Sequence, residues 1–228
     1  MRRTFRLLAI VVFAGGYLFG TVSTTQAVPQ FSFAGYHRNV SNRGVRADIG
    51  FKNPNVPTGQ SVEWVMADDG GISKYIQIGW LKRSTDPAPL YFGEFGCAPA
   101  VCQQVGPGAP NGVSHLYQVN LNSANTEWVF RIDGAVQATT PWQNVGFQQT
   151  PRVLYEGETS DTAAQLGGTA ASHLRMLNTA YSTAPGTWVQ VNPNLFVSTT
   201  TPGTCYRASK GTAGASTFVD NWTINPPC

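Results

Sequence analysis

Charged side chains are scarce in this chain: 15 Lys and Arg and 12 Asp and Glu among 228 residues, with three His. Arg2, Arg3 and Arg6 all fall in the first 27 residues, so the remainder carries twelve basic against twelve acidic groups. A balanced surface leaves no electrostatic footprint for a polyanion, and no nucleic-acid partner is expected. Long apolar runs are missing too. The one candidate, Leu7 to about Gly20, is interrupted by glycine and falls short of the roughly 20 residues that a spanning helix needs. Preceded by three arginines and closed by Thr25-Gln26-Ala27, the segment 1–27 has the anatomy of a secretory signal peptide. Residues 28–228 are therefore expected to form a secreted, extracellular domain with no stable membrane association.

Several kinds of active site are absent as well. The sequence holds no Gly-x-Ser-x-Gly elbow, no Gly-rich phosphate loop with Lys and no His-Glu-x-x-His. His37, His115 and His173 are scattered, without a patterned acidic partner. The four cysteines allow three pairings, of which proximity favours Cys97 with Cys102 and Cys205 with Cys228. Export makes disulfides the expected state. No Cys-x-x-Cys and no nearby His offers zinc-ligand spacing, so neither a metal nor another cofactor is expected. Oxidised cysteines are not nucleophiles. If the protein is a hydrolase, carboxylates and amides must carry the chemistry.

What the chain does contain is Gly, Pro and small polar residues around short strand-like runs. These read as Val45-Phe51, Val62-Ala67, Tyr75-Leu81, Leu90-Phe95, Ser114-Leu121, Glu127-Ile132, Pro151-Glu158, Trp188-Val191 and Thr217-Ile224. Turn signals such as Asn53-Pro54, Asp69-Gly70, Asp133-Gly134 and Pro202-Gly203 separate them. Helical periodicity is weak throughout, and the nearest approach, Asp161-Asn178, is expected to hold a short helix. The fold class implied is all-β: one antiparallel β-sandwich of jelly-roll or concanavalin-like type, expected to be monomeric. Asn39-Val40-Ser41 and Asn221-Trp222-Thr223 match the glycosylation pattern.

Alternation assigns the faces. In Tyr75-Ile76-Gln77-Ile78-Gly79-Trp80, the Ile-Ile-Trp face is the core side, so Gln77 and Tyr75 look outward together. In Pro151-Glu158, Leu154, Glu156 and Glu158 share one face and Val153 and Tyr155 the other. Two carboxylates about 7 Å apart on one face are candidates for acid and base work. Trp80 and Trp128 read as core residues.

Several short motifs resemble the catalytic domain of neprosin-type glutamic peptidases. They are Gly44-Val45-Arg46-Ala47-Asp48-Ile49, Asn53-Pro54-Asn55-Val56, the Gln77-Ile78-Gly79-Trp80 strand, Leu90-Cys97 followed by Val101-Val105, and Leu154-Thr159. The resemblance spans about Gly44 to Gly168. Where the neprosin pattern has an acidic residue before its Gly-Trp, this chain has Gln77, as the eqolisin-type glutamic peptidases do. Those enzymes are β-sandwiches that pair one Gln with one Glu. The resemblance thus implies an endopeptidase acting on polypeptides at acidic pH, with Gln77 and Glu158 as the catalytic pair. Glu156 matches neither family position. Phe92-Gly93-Glu94-Phe95 is similar to the eqolisin aromatic-Glu-aromatic run, which makes Glu94 a candidate supporting or substrate-binding residue beside Tyr75 and Glu156.

Chemically, Glu158 can act as base toward water and then return the proton as acid, which requires it to be ionised at the start. Gln77 offers an oxygen to hold the water and an NH₂ for the developing oxyanion. Two other readings fit some of these residues. Glu156, Glu158 and Asp161 loosely resemble the clustered acids of jelly-roll glucanases, although the third acid is out of step along the strand. A non-catalytic, lectin-like carbohydrate-binding module is the other.

Overall fold

The structure is a computed structural model that describes residues 31–71, 73–97, 100–105 and 112–224. The expected signal segment, Cys228 and the side chains of Cys97 and Cys102 lie outside the described residues. Cys205 is disulfide-bonded.

Fifteen strands follow one another: β1 (Ser32–Asn42), β2 (Gly44–Ile49), β3 (Gln60–Asp68), β4 (Tyr75–Arg83), β5 (Leu90–Cys97), β6 (Ala100–Val105), β7 (His115–Leu121), β8 (Glu127–Ile132), β9 (Ala135–Pro141), β10 (Thr150–Thr159), β11 (Leu174–Ala184), β12 (Thr187–Gln190), β13 (Val197–Ser198), β14 (Tyr206–Ala213) and β15 (Ser216–Thr223). Helical structure among the described residues is confined to α1 (Trp142–Val145) and a single 3₁₀ turn, Pro193–Leu195. One sheet has the order β13-β1-β10-β3-β4-β5-β6, and the other β14-β15-β11-β2-β7-β8-β9 with β12 paired to β11. The named strand pairs are all antiparallel. The molecule is an all-β sandwich.

Period-2 alternation builds the core. Ile76, Ile78 and Trp80 of β4, Val153 and Tyr155 of β10, and Val65 and Ala67 of β3 meet Val45, Ala47, Tyr117, Val119 and Phe130 of the facing sheet. Each large side chain so buried contributes roughly 1.5–3 kcal/mol. Trp80 and Trp128 are fully buried, and their indole N–H groups donate to the carbonyls of Gly50 (3.1 Å) and Phe147 (2.9 Å). Asp133 and Gly134, both at positive φ, make the two-residue turn between β8 and β9. That backbone matches the right-handed twist of the strands it joins.

The short helix expected within Asp161–Asn178 does not form. Here the backbone finds partners across the fold instead of four residues back. Leu166 N–H donates to Thr223 Oγ1 (2.9 Å), Gly167 N–H to Glu63 Oε1 (3.0 Å), and Thr223 N–H to the Gly168 carbonyl (3.0 Å). From Leu174 onward the segment is β11.

Candidate active site

The outer face of the first sheet carries a second apolar layer: Val62, Trp64 and Met66 of β3, Leu81 of β4, Phe92 of β5 and Leu154 of β10, with Phe33 and Tyr75 packed against it. All five polar site residues read from the sequence stand on this face. Gln77 and Tyr75 alternate with the buried Ile76 and Ile78, while Glu156 and Glu158 alternate with the buried Val153 and Tyr155. Glu94 follows from register, because Glu94 is the β5 partner of Gln77. Gly79 lies so close to β3 that a Cβ there would fall 1.9 Å from the Glu63 carbonyl oxygen. Glycine is therefore required between Gln77 and Leu81.

Gln77 is 8 % exposed, and its side-chain amide has no hydrogen-bond partner among the described residues. Across the β4–β5 ladder stands Glu94, with Cβ atoms about 5 Å apart in such pairs. Tyr75 donates its hydroxyl to Glu94 Oε1. Burial raises the Glu94 pKa and the Tyr75 bond opposes it. The Tyr75 phenol is itself raised, by burial and then by the charge of Glu94, so it remains a donor.

Glu158 lies two strands from Gln77, beyond the row formed by Leu154, Met66 and Gln77. Its Oε2 accepts from Trp64 Nε1 at 3.1 Å. Burial pushes the Glu158 pKa up to about 7, against the Trp64 bond and with help from the charge of Glu94. Glu94 and Glu158 both also act on the Tyr75 phenol. Carboxyls from β5 and β10 thus converge over the apolar floor. Trp64 was not singled out by sequence reasoning; its only signal was its place in the outward-facing Val62, Trp64, Met66 set. Replacing Trp64 by Phe keeps an aromatic ring and removes the donor, so the Glu158 pKa is expected to rise above its present value. A carboxyl-carbon NMR titration reads this directly, and an unchanged value would mean that the indole bond does not govern Glu158.

Glu156 is 3 % exposed, with Oε1 unpartnered, and its side chain runs over Gly35, where a Cβ would fall 2.7 Å from its Cγ. Burial is the main cause lifting its pKa to about 8. Farther along β10, Arg152 Nε donates to Asp68 Oδ1 at 2.8 Å in a two-pronged pair. Glu63, which the sequence did not mark, lies on the opposite, core-facing side of β3. It is fully buried and accepts from Asn221 Nδ2 (2.6 Å) and Gly167 N–H. Desolvation raises its pKa to about 8.

Two histidines do have acidic partners, which the sequence did not show. His115 Nδ1 lies 2.5 Å from Asp133 Oδ2, and His173 lies 3.6 Å from Asp220 and stacks on Trp222. Neither stands on the Gln77 face. Among the described residues no group of three or more His, Cys, Asp and Glu could hold a metal ion. A surface depression of about 500 Å³ is lined by Asn39, Val40, Ser41, Gln149, Thr150 and Pro151, none ionisable.

No protein-family profile and no curated protein matches the sequence. Solved structures do. Scytalido-glutamic peptidase with a transition state analog inhibitor superposes with a TM-score of 0.58 at 13 % identity, over 82 % of this chain and 97 % of that one. SCP-B, a member of the eqolisin family of peptidases, in a complex with the tripeptide Ala-Ile-His, superposes with a TM-score of 0.54 at 10 % identity, over 85 % and 98 %. The fold is eqolisin-like. Within this eqolisin-like sandwich the neprosin likeness rests on the short motifs alone. A family 16 endo-glucanase matches at a TM-score of 0.37 over 54 % of this chain and 57 % of that one.

Proposed function

We propose that the protein is a secreted glutamic endopeptidase that hydrolyses polypeptides through Gln77 and Glu158. The observation that carries this reading is that the Gln77 amide, without a hydrogen-bond partner among the described residues, stands on the same face as Glu158 and Glu94, over an apolar floor. An amide left open on that face can take substrate or a reacting water as its partner. The eqolisin-like fold supports it.

The protonation state of Glu158 bears on which of the two roles read from the sequence, base or acid, it takes first. A carboxyl with a pKa of about 7 holds its proton throughout the acid range. An ionised Glu158 acting as base would confine activity to pH above that value, outside the acidic range the resemblance implies. Glu158 therefore enters the reaction as the acid for the leaving amine, and activity is lost as pH rises through about 7.

The test is incubation of the secreted chain, from residue 28, with a denatured protein at about pH 3 to 8, beside Gln77→Ala and Glu158→Gln. Peptide release by the wild type and its loss in both variants is expected. Equal release by all three would remove the pair, and saturable glycan binding without proteolysis would favour the lectin-like reading.

A further inference from the structure

We propose that Arg152 is a substrate-binding residue: held by Asp68 at one end of the Gln77 face, its guanidinium receives the carboxylate of an acidic side chain a few residues from the scissile bond. The proposal rests on the peptidase reading above. Alternation carries Arg152 onto that face, because Arg152, Leu154, Glu156 and Glu158 occupy every second position of β10 while Val153 and Tyr155 point to the core. Asp68, its β3 register partner, is fully buried and holds it through two bonds, from Nε to Oδ1 at 2.8 Å and from Nη2 to Oδ2. Asp68 Oδ1 also accepts from Gly70 N–H at 3.1 Å, so the anchoring carboxylate is itself fixed.

The pair does not exhaust the guanidinium. Of its five N–H donors the fork to Asp68 takes two, one on Nε and one on Nη2. Nη1 has no partner among the described residues and reaches the surface, and the side chain as a whole is 18 % exposed. The remaining end-on edge, an N–H of Nη1 beside the second N–H of Nη2, is the geometry that takes another carboxylate through two parallel bonds. A lysine would neutralise Asp68 as well, but it would bring no second edge. The bond to Asp68 raises the Arg152 pKa, so the positive charge persists throughout the working range.

The position suits a side chain remote from the reacting bond. Met66 is the β3 partner of both Gln77 and Leu154, so Arg152 stands two strands and two residues from Gln77, about 12 Å by ordinary sheet spacings. Three or four residues of extended chain cover roughly that distance. Beyond Arg152 the face runs into the depression of about 500 Å³, whose lining includes Pro151, its neighbour in the chain, and Asn39, its β1 register partner. An acidic side chain therefore has space beside the guanidinium, against a lining that carries no charge of its own. The nearby acids do not compete for the open edge. Asp68 is engaged in the fork, Asp69 is held in the β3–β4 turn by Ser73 and the Gly71 N–H, and Glu156 keeps its proton below about 8. His37, on whose ring the charges of Arg152 and Asp68 both act, closes the β1 side.

The experiment compares kcat/KM at about pH 5, where a substrate glutamate is ionised, on peptides that carry either Glu or Gln at each position within about six residues of the cleaved bond. Acetylated and amidated ends, with no other acidic residue, leave the tested side chain as the only substrate carboxylate. At one position Glu is expected to be preferred to Gln by roughly 10-fold, the worth of a charge-assisted hydrogen bond. Arg152→Lys keeps a cation for Asp68 and gives up the second edge, and its Glu-to-Gln ratio is expected to fall to about 1. Asp68→Asn combined with Arg152→Gln removes both charges together, so that no buried carboxylate is left unpaired, and the same loss is expected. Circular dichroism checks folding. Cleavage by the wild type with no Glu preference at any position, or a preference that survives in either folded variant, overturns the proposal and leaves the peptidase reading standing. If neither variant folds, salt decides: the wild-type preference should shrink between about 10 mM and about 1 M salt, and one that salt does not touch overturns the proposal. A wild type that cleaves none of the peptides removes the peptidase reading, and this proposal with it.

Discussion

Glu158→Gln is expected to lower kcat/KM on a peptide substrate by roughly 10²–10⁴-fold, the usual worth of a positioned acid, while the folded structure persists. The substitution is isosteric, and the amide oxygen can still accept from Trp64 Nε1. Only the transferable proton is lost. Gln77→Ala is expected to cost about 10²–10³-fold, the range seen when one oxyanion donor is removed, and to act on kcat more than on KM. The two residues serve one transition state, so the double variant should be far less impaired than the product of the single losses. Steady-state kinetics on the four proteins decides this. Multiplicative losses would mean that Gln77 and Glu158 act in separate steps, and single variants at wild-type rates would mean that neither takes part.

Unfolding free energy is expected to be greatest in acid and to fall steeply as pH rises from about 4.5 to 8. Glu63 and Glu156 have an ordinary value of 4.5 and are raised to about 8 in the folded protein. The native state therefore holds protons that the unfolded chain has already released. The sign follows: a raised carboxyl pKa contributes stability that is complete below 4.5 and is lost as pH climbs toward 8. For groups this buried the loss is on the order of a few kcal/mol each. Half-buried Glu158 adds less. Glu63→Gln isolates one of these two contributors. A neutral amide still accepts from Gly167 N–H, and its NH₂ can serve the Asn221 Oδ1, which has no partner among the described residues. Thermal melts should show little change at pH 4.5 and a clear gain in Tm at pH 8. A wild-type pH slope retained in the variant would remove Glu63 as its source.

The face assignments were legible in the sequence because a strand's period of two admits no compromise. Ile76, Ile78 and Trp80 had to be core once Tyr75–Trp80 was a strand, and Gln77 had to face away. β1 was not legible. Its Gly35 is small because a Cβ there would run into the β10 backbone, 2.2 Å from the Tyr155 carbonyl oxygen, and into the Glu156 side chain beside it. β11 was obscured by Asn178, whose positive φ marks an irregularity that spoils the alternation. The nearness of Gln77 to Glu94 depends on β4–β5 register, and the Trp64 bond to Glu158 joins residues far apart in sequence. Neither is written in any local pattern. The histidine partners were missed for the same reason, since Asp133 and Asp220 reach their rings only through strand pairing.

The Asn221 side chain, wholly inside the sandwich and bonded to Glu63, has a bearing on how the protein is produced. Oligosaccharide transfer in a eukaryotic secretory pathway meets the chain before its sheets close, when Asn221-Trp222-Thr223 is still accessible. A glycan fixed there has no space between β15 and β3, so each molecule so modified is diverted from folding. The exposed Asn39 would carry one harmlessly. Glycopeptide mass spectrometry should accordingly find occupied Asn221 in the retained, insoluble fraction and not in the secreted one. Occupied Asn221 in active, secreted protein would be incompatible with this packing. Thr223 is itself buried and accepts from Leu166 N–H, so a host without this modification is a gentler remedy than editing the sequon.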